Sequence, residues 1–293
     1  MFSECVSILY LFFFLRHSFH SRDILSKNKI DKMVLSGHSF GGYVAVAYTE
    51  RYPERVDRLI LLSPFGVPNP EDPASRWRLD HFRSTWTGQV IIAIFQMFFN
   101  WTTPGGVIRS FTEFRGSLLA RSYVARRLPQ IKNVEESEAL ADYLYMNAKL
   151  PPSGEFFLRT LFTDTMMAKN PLVCRIPNLK VKSVNFMYGT SDWMDISGGM
   201  DTEALCYRLS QDDESLKIPQ VNVYSVPNAG HLLTLHNPVI VSAGIIRIAG
   251  GSVRVPEQYM PSLMDLDYSK EVHKSSVRSA REIMSGECDK RIG

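Results

Sequence analysis

The chain has 293 residues, of which 45% are hydrophobic and 22% are charged, as in an ordinary globular protein. Its net charge of +3 is too small to indicate a nucleic-acid partner. Four cysteines are scattered without C-x-x-C spacing, so the sequence predicts no zinc site, and no metal or cofactor is expected.

The chain begins with an apolar segment. Residues 6–15 (VSILYLFFFL) are strongly apolar but fewer than the roughly 20 that a membrane-spanning helix needs. A signal peptide needs a basic start and a small-residue cleavage site, whereas this chain starts Met-Phe-Ser-Glu. The sequence therefore favours a buried core element or an atypical start over a signal anchor. Residues 1–18 are set apart as an atypical apolar N-terminus.

A strand, a tight turn and a helix follow. A helical pattern over residues 19–28 leads to the apolar residues 33–35, which run into Gly-His-Ser-Phe-Gly. A second helical pattern covers residues 43–52. This arrangement is typical of a nucleophile elbow, in which a strained turn lifts a serine hydroxyl off the end of a strand.

The elbow gives its residues distinct expected roles. Ser39 is the predicted nucleophile. Gly37 and Gly41 flank it, and we expect a side chain at either position to collide with the neighbouring strand and helix. The backbone N–H of Phe40 lies at the amino end of the following helix, so it is the predicted oxyanion donor.

The later strands indicate a parallel sheet. Residues 56–63 (VDRLILLS) read as a buried strand, which completes a βαβ unit with the elbow. Residues 179–188 and 219–226 predict two more strands, with a helix over 201–210 between them and an apolar closing helix over 238–248.

Between these strands lies a helical insertion, predicted to be a cap over the active site. It contains the apolar run 89–99 and helical patterns over 137–148 and 156–168. Arginines in its middle alternate with aromatic residues: Phe111, Phe114 and Tyr123. These aromatics form either the core of the cap or an acyl-chain pocket and membrane-facing surface, where the arginines would meet anionic lipid head groups.

The predicted organisation is therefore an α/β fold with an inserted cap. Residues 19–66 and 177–250 form the core, 67–176 the helical cap, and 251–293 a polar C-terminal tail.

Two further loops supply partners for the serine. His231 follows the last strand in Asn-Ala-Gly-His, and Asp192 follows the preceding strand in Gly-Thr-Ser-Asp. The carboxyl ends of parallel strands lie on one edge of a sheet, so Ser39, Asp192 and His231 can converge there. The order Ser, Asp, His is that of the α/β hydrolases. Asp195 is the alternative acid, and His38 is expected to point away from Ser39 and to take no part in proton transfer.

With these residues established, the chain resembles the α/β-hydrolase-domain lipid enzymes. That group includes the fungal cardiolipin-specific deacylase, lysophospholipid acyltransferases and the animal lipid-droplet co-activator of triglyceride lipase. The matching stretches are GHSFGGY at 37–43, YPERVDRLILLSPFG at 52–66 and YGTSDWMD at 188–195. The resemblance implies a glycerophospholipid or lysophospholipid substrate and an intracellular place at membrane surfaces. It also suggests the mitochondrion, although the start lacks the basic residues of a transit peptide.

Two departures from the group qualify this resemblance. An H-x-x-x-x-D motif associated with acyl transfer would begin at His231, but His236 stands where its aspartate would be. The fold normally places four strands and a His-Gly loop, which supplies a second oxyanion donor, before the elbow. Here about 38 residues precede Ser39 and contain no His-Gly pair, so an N-terminally truncated sheet is expected.

The sequence leaves three functions open. The first is a serine acyl hydrolase with Ser39, His231 and Asp192 as its triad, acting on phospholipid esters. The second is a catalytically impaired lipid-binding or regulatory protein of the same fold. The third is a lysophospholipid acyltransferase, because water and a lipid hydroxyl compete for the same acyl-enzyme.

Overall fold

A computed structural model describes residues 31–69, 80–81, 84–151, 156–163, 167–213 and 215–252. The strands are β1 (Met33–His38), β2 (Val56–Leu62), β3 (Ser183–Gly189) and β4 (Gln220–Val226). The helices are α1 (Phe40–Arg51), α2 (Trp86–Trp101), α3 (Pro104–Ser110), α4 (Glu113–Arg127), α5 (Val134–Lys149), α6 (Phe157–Leu161), α7 (Leu172–Arg175), α8 (Ser197–Asp212), α9 (Leu233–His236) and α10 (Pro238–Ile248). The apolar start at 6–15, the helix expected over 19–28 and most of the tail at 251–293 lie outside the described residues.

The four strands form one parallel sheet in the order β1-β2-β3-β4, as the βαβ reading predicts. Leu59, Ile60 and Leu61 of β2 are all fully buried, because helices cover both faces of a parallel sheet. The third strand begins at Ser183, four residues later than the 179–188 pattern suggested. Among the described residues, β1 pairs with β2 alone.

Helix α10 closes one face of this sheet, and its bounds are those expected from sequence. Its Ile240 and Val241 pack with Ile60, Met187 and Leu233 in one buried cluster. Burial of these aliphatic side chains supplies most of the stabilisation available to such a layer, at roughly 1.5–3 kcal/mol for each side chain removed from water. This packing holds the loop after β4 against the sheet.

Helix α1 is fixed by a polar cluster. Arg175 donates two hydrogen bonds to the carboxylate of Glu50, with its Nε 2.8 Å from Oε1. Its guanidinium lies 4.8 Å from the ring centroid of Tyr43, whose hydroxyl donates to the carbonyl of Asn170 at 3.1 Å. These contacts join the elbow helix to the segment that leads into β3.

The described residues divide into two compact units. One takes in the described residues up to 77 and from 167 onward, and the other those between 78 and 166. The sheet and α1 belong to one unit, together with α7 to α10. The other unit contains α2 to α6 and lies inside the segment 67–176 that the sequence marks as helical. No helix in the described part of the chain is both long and apolar enough to cross a bilayer.

Within the helical unit, α4 and α5 pack closely. Gly116 lies against the ring of Tyr145, where an added Cβ would come within 2.6 Å of a ring carbon. The helix expected over 156–168 is wrong in extent, since α6 ends at Leu161. Thr163 lies just after the helix ends. As a β-branched residue it disfavours helix, because its side chain loses rotamer freedom there.

Candidate active site

Ser39 lies on the turn between β1 and α1 in a conformation that few residues adopt. Its φ is 53° and its ψ is −123°. Its N–H donates to the carbonyl of Leu62 at 2.9 Å, and its own carbonyl accepts from the N–H groups of Gly42 and Phe65 at 3.0 Å. These bonds hold a strained backbone at the end of the strand, as an elbow requires.

The glycines of the elbow differ from expectation at one position. A Cβ on Gly37 would lie 2.4 Å from the carbonyl oxygen of Gly41, so this position requires glycine. A Cβ on Gly41 would meet nothing within 4 Å, so the expected collision there is wrong. The close approach is instead made by Gly42, whose added Cβ would lie 2.9 Å from Cβ of Pro64. Helix α1 therefore turns Gly42, not Gly41, toward β2.

His231 joins the serine to the acid. Its Nε2 lies 3.0 Å from Ser39 Oγ, and its Nδ1 lies 3.1 Å from Asp192 Oδ1. These partners fit a tautomer in which the serine hydroxyl donates to Nε2 and Nδ1–H donates to the carboxylate. The three side chains expected to converge are therefore brought together in one hydrogen-bonded chain.

Asp192 is nearly enclosed, with 1% of its side chain exposed. Burial opposes its charge, but hydrogen bonds from His231, Ser63 and the N–H of Met194 outweigh burial, so the pKa of Asp192 lies below its ordinary value. It is therefore ionised when the neighbouring imidazole needs a negative partner. Asp195, the alternative acid, accepts from the N–H of Ser197 at 3.0 Å, at the start of α8.

Three residues contact the hydrogen-bonded side chains of Asp192 and His231, and the sequence did not predict these contacts. The hydroxyl of Ser63 donates to Asp192 Oδ2. Nε2 of His38 donates to the carbonyl of His231 at 2.7 Å, so His38 holds the loop that carries His231. The ring of Trp193, which is 64% exposed, lies 4.8 Å from the ring of His231. All three lie in the stretches that carry the resemblance, GHSFGGY, YPERVDRLILLSPFG and YGTSDWMD, but nothing in those stretches indicates which partner each side chain contacts.

Phe40 and His236 were also named from the sequence, and the structure shows the contacts of each. Phe40 is the first residue of α1, and its ring stacks on Tyr43 at 6.2 Å. Its N–H remains the predicted oxyanion donor. His236 accepts from the N–H of Gly230 through Nδ1 at 3.1 Å, so it holds the loop that carries His231. In the described part of the chain, no group of three or more His, Cys, Asp or Glu side chains could hold a metal ion.

The parallel sheet and the serine elbow are those of an α/β hydrolase, and the chain has the α/β-hydrolase fold: residues 9–92 match the family model described as alpha/beta hydrolase fold. Several of its relatives are named as lipid enzymes. The chain is 32% identical to a 1-acylglycerol-3-phosphate O-acyltransferase of Arabidopsis thaliana over 72% of its own length and 47% of that protein.

Two further relatives extend this similarity. The chain is 30% identical to a (lyso)-N-acylphosphatidylethanolamine lipase of Mus musculus, over 58% of its length and 47% of the relative. It is 26% identical to the 1-acylglycerol-3-phosphate O-acyltransferase ICT1 of Saccharomyces cerevisiae, over 75% of its length and 55% of the relative. The chain thus spans about half the length of each of these proteins.

Proposed function

We propose that the chain is a serine acyl hydrolase that acts on glycerophospholipid or lysophospholipid esters, as a cardiolipin deacylase does. The observation that carries the proposal is the hydrogen-bonded chain from Ser39 Oγ through His231 to Asp192. A serine hydroxyl is a weak nucleophile on its own and needs a base within hydrogen-bonding distance. The names of the relatives support a lipid ester as the substrate.

The geometry supports two chemical steps. In the first, Ser39 Oγ attacks the ester carbonyl carbon while His231 Nε2 takes the hydroxyl proton, and the imidazolium then protonates the departing alcohol oxygen. In the second, His231 takes a proton from water, the water oxygen attacks the acyl-enzyme, and the proton returns to Ser39 Oγ as the fatty acid leaves. Asp192 stabilises the imidazolium in both steps. Negative charge on the carbonyl oxygen is favoured at the amino end of α1, where Phe40 begins the helix.

A membrane surface is the proposed place of action. Helix α4 buries Gly116, Ala120 and Val124, while its Phe114 is 78% exposed and its Leu118 is 54% exposed. Arginines accompany these exposed apolar side chains along the helix, a combination that favours anionic bilayer surfaces. The resemblance to the cardiolipin deacylase makes an intracellular, mitochondrial membrane the first to test.

The proposal is tested with a fluorophosphonate probe, which modifies an activated serine. We expect one equivalent of label on the peptide that contains Ser39, and none when the Ser39→Ala variant is treated. The same preparation should release fatty acid from lysophospholipid in vesicles. A folded sample that takes up no label would instead support the catalytically impaired, lipid-binding reading.

The second candidate is acyl transfer to a lysophospholipid, and the names of two relatives favour it. Against it, His236 accepts a hydrogen bond from Gly230 at the position where the associated motif has an aspartate. We therefore expect that, with a radiolabelled acyl donor and added lysophospholipid, most label appears as free fatty acid. Most label in diacyl phospholipid, and consumption of acyl-CoA that depends on the lysolipid, would establish the transferase instead.

A further inference from the structure

Ser63 lies at the carboxyl end of β2, next to the elbow. It is completely buried, and its N–H donates to the carbonyl of Met187 in β3 at 2.8 Å. Its φ is 43°, in the left-handed region that residues with a Cβ rarely adopt. A strained conformation of this kind persists only where the surrounding structure holds it, and it is common near functional groups.

The side chain of Ser63 completes the surroundings of the acid. Oδ1 of Asp192 accepts from His231 Nδ1 at 3.1 Å and from the N–H of Met194 at 2.9 Å. Oδ2 accepts from the hydroxyl of Ser63. Each carboxylate oxygen therefore has a donor, and the two sets of donors come from different sides of the carboxyl group.

We propose that Ser63 is a positioning residue that fixes the orientation and charge of Asp192 for the imidazole of His231. This inference rests on the proposed hydrolase function. The Ser63 hydroxyl holds Oδ2, so the carboxylate cannot rotate away from Nδ1 without breaking that bond. It also stabilises the ionised form, because a hydrogen bond donated to a carboxylate favours its charge.

Water cannot readily replace this hydroxyl. Ser63 is 0% exposed and the Asp192 side chain is 1% exposed, so removal of Oγ leaves Oδ2 in a dry site without its donor. A buried polar atom that loses its partner bears the full cost of its desolvation. The pKa of Asp192 should then rise, and its hold on the imidazole should weaken.

The backbone at Ser63 allows a test that separates chemistry from folding. Alanine removes the hydroxyl and keeps the strain at φ 43°, whereas glycine removes the hydroxyl and relieves the strain. If the hydroxyl acts through Asp192, the two variants should lose activity equally while the Ser63→Gly protein melts at the higher temperature. If Ser63 were purely structural, activity would instead follow stability, and Ser63→Gly would be more active than Ser63→Ala.

We expect both variants to lower kcat for ester hydrolysis about tenfold to hundredfold, less than the roughly 10,000-fold that follows loss of a triad acid's function. KM should change little. The acid limb of the pH profile of kcat/KM should move to higher pH, because Asp192 without the Ser63 donor takes up a proton at higher pH, and the neutral acid no longer supports the base. Ser183→Ala serves as the matched control, since that serine lies at the opposite end of the sheet, beside Asn185.

The outcomes distinguish this inference from the proposed function. Normal fluorophosphonate labelling of the unmodified chain, with unchanged kcat and acid limb in both Ser63 variants, overturns the positioning role alone. Loss of activity in Ser63→Ala that Ser63→Gly restores also overturns it, because strain and not the hydroxyl would be responsible. Absence of labelling in the unmodified chain overturns the hydrolase proposal itself.

Discussion

Asparagine in place of Asp192 is expected to lower kcat for ester hydrolysis by about 10,000-fold. The amide keeps the shape of the carboxyl group, but it removes the charge that stabilises the His231 imidazolium. It can also turn its NH₂ toward Nδ1, which favours the tautomer with the proton on Nε2. That nitrogen would then be unable to accept the Ser39 proton. The measurement is kcat on a soluble fatty-acid ester, which avoids effects of membrane binding.

Asp195→Asn is the matched control for this substitution. Asp195 is three residues away and accepts from the N–H of Ser197 at 3.0 Å, an interaction that an amide oxygen can keep. We expect its kcat to remain within about threefold of the unmodified chain, since a single hydrogen bond of this kind contributes only about 1 kcal/mol to stability. A large loss of kcat in Asp195→Asn, with little loss in Asp192→Asn, would show that Asp195 and not Asp192 is the acid that supports His231.

Alanine in place of Gly37 is expected to destabilise the fold by about 3 kcal/mol or more and to remove fluorophosphonate labelling. The new Cβ would lie 2.4 Å from the Gly41 carbonyl oxygen and 2.8 Å from the Gly42 nitrogen. Both atoms belong to the backbone of α1, so relief requires the helix to move away from β1. Such a movement would displace Ser39 from His231. Chemical denaturation measures the stability change, and labelling reports the geometry of the turn.

Gly41→Ala provides the comparison for Gly37→Ala. It lies in the same turn of chain, and its added Cβ meets nothing within 4 Å. Because alanine is favoured over glycine inside a helix by about 1 kcal/mol, we expect equal or slightly higher stability and retained labelling. Equal damage from both substitutions would contradict the packing described for the elbow.

The sheet and the hydrogen-bonded chain of Ser39, His231 and Asp192 could be predicted from sequence because their signals are local. A buried strand reads as a short run of aliphatic residues, as in β2, and the elbow has fixed spacing around Ser39. The convergence of Asp192 and His231 follows from one rule, that parallel strands end on the same edge. The choice of Asp192 over Asp195 depended on a count from the end of β3, and the structure places Asp192 against His231.

The supporting contacts were inaccessible because they join distant parts of the chain without a pattern. Ser63 and Asp192 are 129 residues apart, and His38 and the carbonyl of His231 are 193 apart. Nothing in the local sequence distinguishes Ser63 from any serine that ends a strand. The roles of Gly41 and Gly42 likewise depend on the rotation of α1 about its axis, which the G-x-S-x-G spacing leaves undetermined.

The order of the strands has a consequence for how activity arises during synthesis. Among the described strands, β2, β3 and β4 each pair with the strand made just before, so this sheet can grow by addition at one edge as the chain leaves the ribosome. Ser39 and its proposed base, His231, are 192 residues apart, and His231 lies on the loop that follows β4. A nascent chain therefore carries Ser39 long before it has His231. Labelling of Ser39 on stalled chains of increasing length would mark the point at which β4 and the His231 loop join the sheet, which makes the proposed nucleophile a reporter of that step of folding.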